Sequence, residues 1–195
     1  MLVVPLLSAQ AEDATANLRV KLAQLKTYHA NFTQQVVDGQ GELLQNAQGQ
    51  LSLKQPKRMH WQVAEPNENT LIADGLTLWH IDPFVEQVVA ITQAQAIENN
   101  PMILLTNPQS EAWQDFIISQ RDNSFVIQAK DADAQVASLT LVFSADTLVQ
   151  LKVADHQQQV STLDFSDIRQ NQPLDDQRFV FVMPQGYELD DQRSQ

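Results

Sequence analysis

The feature that most constrains this chain is a change of hydrophobic period near residue 30, from one helical stripe to a long run of two-residue alternations broken by turn signals. Before the change, Leu18, Leu22, Leu25 and His29 stand at i, i+4, i+7 and i+11, the apolar face of a helix that Asp13 or Thr15 can cap. After it, Phe32, Gln34 and Val36 share one parity, Asp38-Gly39-Gln40-Gly41 supplies a turn, and Ala47, Gly49, Leu51 and Leu53 resume the alternation as far as Pro56. Met59, Trp61 and Val63 alternate with Arg58, His60 and Gln62. Residues 69–73 and 76–81 flank the hairpin signal Asp74-Gly75, and 84–91 read as a further strand after Pro83. Hairpins joined by short turns are the pattern of a meandering antiparallel sheet.

Between residues 92 and 116 the alternation fails. Ala94-Gln95-Ala96-Ile97 suits a helical turn, Pro101 interrupts, and Met102-Ile103-Leu104-Leu105 forms a dense apolar patch before Asn107-Pro108. More than one face of that patch is apolar, so it must be covered: either it plugs a core or it forms a lid over an apolar cavity inside a curved sheet. Strands are expected again at 116–119, 125–129, 136–143, 147–154, 159–165 and 179–182.

A chain of 195 residues can bury one sizeable core, and no linker or repeat divides it, so residues 12–195 read as a single domain of mainly β (α+β) class. The formal net charge of -12 repels phosphate backbones and anionic lipid head groups, which argues against nucleic acid and against stable membrane anchoring by charge. With no cysteine there is no disulfide, thiolate metal site or lipid anchor on an N-terminal Cys. Leu2-Val3-Val4-Pro5-Leu6-Leu7 followed by Ser8-Ala9-Gln10-Ala11 has the form of the tail of a cleavable signal peptide, which makes residues 1–11 a signal remnant and the chain an exported protein.

Catalytic chemistry finds little support. His29, His60, His80 and His156 lie in no metal-ligand spacing, and nucleophile-elbow and phosphate-loop motifs are missing. The carboxylate pairs Asp131/Asp133, Asp164/Asp167, Asp175/Asp176 and Asp190/Asp191 fall at expected turns and strand ends, where aspartate serves turn geometry. We therefore expect no enzyme, no cofactor and no metal site. A hydrolase using one of these pairs on a similar half-barrel, and an adaptor that binds another protein through a sheet edge, are the alternatives.

Five ordered segments carry a resemblance. They are Tyr28-His29-Ala30-Asn31-Phe32-Thr33-Gln34; Gly49-Gln50-Leu51-Ser52-Leu53-Lys54-Gln55-Pro56 running to Trp61; Asp74-Gly75-Leu76-Thr77-Leu78-Trp79; Asp82-Pro83-Phe84-Val85-Glu86-Gln87; and Asn100-Pro101-Met102 continuing through Trp113 to Leu189-Asp190-Asp191-Gln192-Arg193. In this order they make the chain similar to the LolA family of periplasmic carriers of outer-membrane lipoproteins. The resemblance implies an incomplete antiparallel β-barrel, covered by a lid of an N-terminal helix and short inserted helices. It also implies a monomer in the periplasm of a Gram-negative bacterium that receives acylated lipoproteins from the inner-membrane LolCDE transporter and delivers them to the outer-membrane receptor LolB.

Carried over residue by residue, the resemblance puts Leu22, Leu25, Ile103, Leu104 and Leu105 on the underside of the lid, with Met59, Trp61 and Leu151 facing them from the sheet. Phe32, Leu51 and Phe84 are assigned to the same cavity by parity or by position in a matched segment. The family usually has an aromatic residue where this chain has Met59. It also commonly has an arginine immediately before Pro56, latching the lid through helix carbonyls, and here that position is Gln55. A neutral amide gives weaker bonds than a guanidinium, so the expected latch is a softer one, with Lys57 and Arg58 as candidates to replace it.

Overall fold

The computed structural model describes residues 6–97 and 100–193, the side chains of 6–12 excepted. Helix α1 (Leu6–Gln24) is followed by six strands: β1 (Thr27–Val37), β2 (Leu43–Lys54), β3 (Arg58–Val63), β4 (Asn69–Asp74), β5 (Thr77–Asp82) and β6 (Gln87–Thr92). Then come α2 (Gln93–Ala96) and two 3-10 turns, Pro101–Thr106 and Glu111–Asp115. Strands β7 (Phe116–Arg121), β8 (Ser124–Ala129), β9 (Val136–Ser144), β10 (Thr147–Asp155) and β11 (Val160–Gln170) precede a last 3-10 turn, Asp176–Phe179, and β12 (Glu188–Asp191).

All twelve strands join one sheet, in the order β12-β6-β5-β4-β3-β2-β1-β11-β10-β9-β8-β7. Every pairing is antiparallel except that of β12, which lies parallel to β6. Because β12 and β7 are free edges, the sheet is an open half-barrel. Its curvature follows from one contact set: the 101–106 turn touches β2, β3 and β9. Strands β3 and β9 are five steps apart, roughly 24 Å along a flat sheet, more than a six-residue 3-10 turn of about 12 Å can span. The sheet must therefore curl around that segment.

Several local expectations change. Helix α1 starts at Leu6 and runs through Asp13 and Thr15 without a cap at either, since residues 8–12 contain no helix breaker. Residues 1–5 of the expected signal remnant lie outside the described residues, and 6–11 form the start of α1. The helix stops at Gln24, so Leu25 follows it and His29 belongs to β1, as the aromatic and β-branched Thr27-Tyr28 start favours. Strand β6 begins at Gln87, because Asp82 Oδ1 accepts the Phe84 N–H at 2.9 Å and turns the chain there. Residues 179–182 form no strand, and the closing strand is β12.

The segment after β11 straps the outer face of the sheet. Phe179 is buried and the Phe181 ring stacks on Trp79 at 4.0 Å. Beneath the strap, His29, Ser52 and His60 stand in one rung across β1, β2 and β3, with His29 Nδ1 3.0 Å from Ser52 Oγ. Burial, then the charges of Arg178 and Arg169, hold His29 below the ordinary imidazole range; burial, then Arg178 and His29, do so for His60. An unfolded imidazole takes up its proton near pH ~6.5, and these folded ones do so only at lower pH. Stability is therefore unaffected well above that value and falls as pH drops through it, because the unfolded chain binds protons first. Denaturant midpoints measured at pH 7.5 and pH 5 are expected to differ in the wild type, and the double substitution His29→Gln, His60→Gln should flatten most of that difference.

Candidate functional site

The inner face of the half-barrel is built by alternation. Cross-strand partners on one parity carry Tyr28, Ala30 and Phe32 of β1, Leu51 and Leu53 of β2, and Met59, Trp61 and Val63 of β3. From the other arm, Phe125, Leu141, Leu151 and Leu163 form one rung across β8, β9, β10 and β11. All of these belong to a single apolar cluster with Leu18, Leu22 and Leu25 from the α1 side and Met102, Ile103, Leu104 and Leu105 from the 101–106 turn. Every side chain of that turn is buried, which explains why its sequence is apolar on all faces. The buried phenol of this face is paired: Tyr28 Oη donates to the Leu148 carbonyl at 2.8 Å, and burial pushes its pKa far upward.

Helix α1 lies across this face and is tied on several sides. Lys21 Nζ donates to the Ala145 carbonyl and pairs with Asp146, both at 2.8 Å, and Arg19 Nε donates to the Pro108 carbonyl at 2.6 Å. The Asn171 side chain closes the helix end, donating to the Gln24 carbonyl at 3.0 Å and accepting the Lys26 N–H at 2.8 Å. The bond that bridges cover to sheet comes from Gln55, whose Nε2 donates to the carbonyls of Leu22 at 2.6 Å and Leu25 at 2.7 Å. The Leu22 carbonyl, in the last turn of α1, also accepts the Leu25 N–H at 2.9 Å, and Leu25 lies just past the helix end, so Gln55 grips the chain where the helix stops. Two residues on, the Lys57 N–H donates to the Thr106 carbonyl at 3.0 Å, and the Lys57 carbonyl accepts Gln93 Nε2 at 3.0 Å. One turn between β2 and β3 thus holds α1, the 101–106 turn and α2 together.

Eleven residues were expected to line the interior, and ten meet there. Leu22, Leu51, Met59, Leu105 and Leu151 are fully buried, and Leu25, Phe32, Trp61, Ile103 and Leu104 nearly so. Phe84 is the exception: it is 94% exposed on the β5–β6 turn, on the rim rather than in the interior. Of the other latch candidates, Arg58 is committed to Asp176 at 2.6 Å, and Lys57 contributes its main chain. Sequence reasoning missed Gln93 and Asn171, because a polar side chain inside a helical turn or after a strand carries no periodic signal.

The acidic pairs are engaged locally. Asp131 accepts from the Asp133 N–H at 2.9 Å, Asp164 from Gln150 at 2.7 Å and Asp167 from Asn31 at 2.8 Å. Asp176 bridges Lys54 and Arg58, and Asp191 pairs with Arg193, which holds the Asp191 carboxyl down at about 2. Among the described residues no group of three or more His, Cys, Asp or Glu side chains is arranged to hold a metal.

An open half-barrel with an apolar interior and a helix pinned across it has the geometry to shelter apolar groups, and comparison with known proteins supplies its family. The family model described as "Outer membrane lipoprotein carrier protein LolA" matches residues 23–182. The chain belongs to the LolA family. An outer-membrane lipoprotein carrier protein from Cronobacter sakazakii is 37% identical over 183 residues, 93% of this chain and 89% of the relative. One of the same name from Klebsiella pneumoniae (strain 342) is 35% identical over 182 residues, with the same coverage. An uncharacterised conserved protein from Thermus thermophilus shares the fold, with a TM-score of 0.51 at 10% identity over 94% of this chain and 100% of that one. Gln55, Pro56 and the whole 101–106 turn fall within the LolA match.

Proposed function

We propose that this LolA-family chain is a non-enzymatic periplasmic carrier that shelters lipoprotein acyl chains between its sheet and its lid, α1 with the 101–106 turn. It takes cargo from LolCDE and delivers it to LolB. The observation that carries the reading is the Gln55 clasp: the cover lies over a continuous apolar surface, and where α1 ends it is held to the sheet by neutral, exchangeable hydrogen bonds, beside the charged ties of Lys21 and Arg19 along the helix.

The energetics fit a transfer role. Burying a methylene contributes about 0.8 kcal/mol, so an acyl chain of about sixteen carbons represents on the order of 10 kcal/mol. A carrier that captured all of that could not release. Here the apolar wall is already satisfied by the lid's own Leu22, Ile103, Leu104 and Leu105, so cargo gains only the difference between lid and acyl contact. Met59 and Met102 suit a ligand without fixed shape.

The test is capture from the compartment. Purified from a Gram-negative periplasm, the protein should carry acylated lipoprotein, detected intact by mass spectrometry, and should keep it soluble without detergent. Equal binding of the unacylated form would discard the carrier reading in favour of a sheet-edge adaptor.

A further inference from the structure

A cleft of about 520 Å³ opens beside the 101–106 turn, between α2 and the β4–β5 hairpin. Its wall is shared with the interior: Ile103 and Leu104 line the cleft and also belong to the buried apolar cluster. Leu76, 82% exposed, and Ile97 extend the apolar surface outward. An amphiphile whose chains pass beneath the turn would therefore leave its polar end here.

The polar groups of the cleft are specific. Gln93 lines it and is 94% buried, the complement of its 6% exposure. Its Nε2 is used on the Lys57 carbonyl, which fixes the orientation of the amide, and its Oε1 is buried with no hydrogen-bond partner among the described residues. A buried acceptor in this state calls for an N–H or O–H donor. Two cations line the same cleft, Lys57 and Arg193, beside the neutral side chains of Thr92, Asn107 and Ser110; Arg193 pairs with Asp191 and brings its Nη1 within 3.5 Å of the buried Thr77 hydroxyl. Thus one cleft combines an unpaired amide acceptor in its wall with two cations in its lining, the complement of a head group that carries one N–H beside several carbonyl oxygens.

We infer that this cleft is the subsite for the polar head of the cargo, the amide- and ester-bearing acylated amino terminus of a peptide, with the amide N–H donating to Gln93 Oε1 and the ester carbonyls accepting from Lys57 and Arg193. The inference rests on the carrier reading and deepens it: the interior holds chains, and this cleft recognises how they are attached. Gln93 then distinguishes an acylated peptide from a bare fatty acid.

The experiment uses the full chain and two triacylated lipopeptides, identical except that the acylated amide nitrogen of one is methylated and has no N–H. Affinities are measured by fluorescence titration for the wild type and for Gln93→Leu and Gln93→Met, with melting temperatures to confirm folding. The wild type is expected to bind the N–H lipopeptide about tenfold more tightly than its N-methyl analogue, and that ratio should collapse to near one in both variants. Taking the ratio cancels any loosening of the Lys57 contact that the variants cause. Equal wild-type affinities, or an unchanged ratio in the variants, would overturn the subsite while leaving the carrier reading standing. If the wild type binds neither lipopeptide, the carrier reading itself falls.

Discussion

Replacing Gly49 with valine is expected to abolish the folded state or to cost about 3 kcal/mol or more, the largest effect of any single change to the sheet. A Cβ placed there would lie 2.1 Å from the Gln62 carbonyl oxygen and 2.4 Å from Phe32 Cζ. The first neighbour is backbone on β3, so it cannot yield without breaking the ladder. The second is the ring that fills the space a side chain would take, directly across from Gly49 in the β1–β2 register, and it packs on Trp61 at 4.5 Å. Even Gly49→Ala should lower the urea midpoint substantially, and adding Phe32→Ala should not restore it, because the backbone clash remains.

The second large effect concerns the clasp. Gln55→Ala removes the donors that hold the Leu22 and Leu25 carbonyls, and losing both should raise the open fraction of the lid roughly ten- to thirtyfold. Amides in the last turn of α1 and in residues 101–106 are expected to exchange with deuterium faster by that factor, while those of β1 and β10 stay protected. Gln55→Arg should act in the opposite sense, since charge-assisted bonds to the same carbonyls are about twice as strong, slowing lipoprotein uptake and release. Unchanged transfer kinetics in both variants would remove Gln55 from the mechanism.

Much of this architecture is legible in the residues. The alternation of Met59, Trp61 and Val63 and the Asp74-Gly75 turn announce strands and hairpins because each strand has one buried and one wet face. The apolar density of residues 102–105 announces a covered segment because no regular period can leave it exposed. What stays hidden has physical reasons. Strand β12 is four residues long with acidic ends, and it forms only because β6 offers a free edge to a distant part of the chain. Phe84 has the composition of a core residue, but its direction is set by the Asp82 turn, a local hydrogen bond that outranks parity. Gln55 could be picked out by position, yet the three-way role of its turn depends on main-chain groups of Lys57, which side-chain identity does not reveal.

The central claim is that acyl chains enter between the sheet and the lid. The three tryptophans allow a direct measurement, because Trp61 lies in that interior while Trp79 lies on the outer face against Phe181. Two proteins are needed, one retaining only Trp61 and the other only Trp79, each titrated with a lipopeptide whose acyl chains carry bromine, a quencher that acts at near contact. Strong, saturable quenching of Trp61 with Trp79 unaffected is the predicted result; quenching of Trp79 with Trp61 left bright would contradict it.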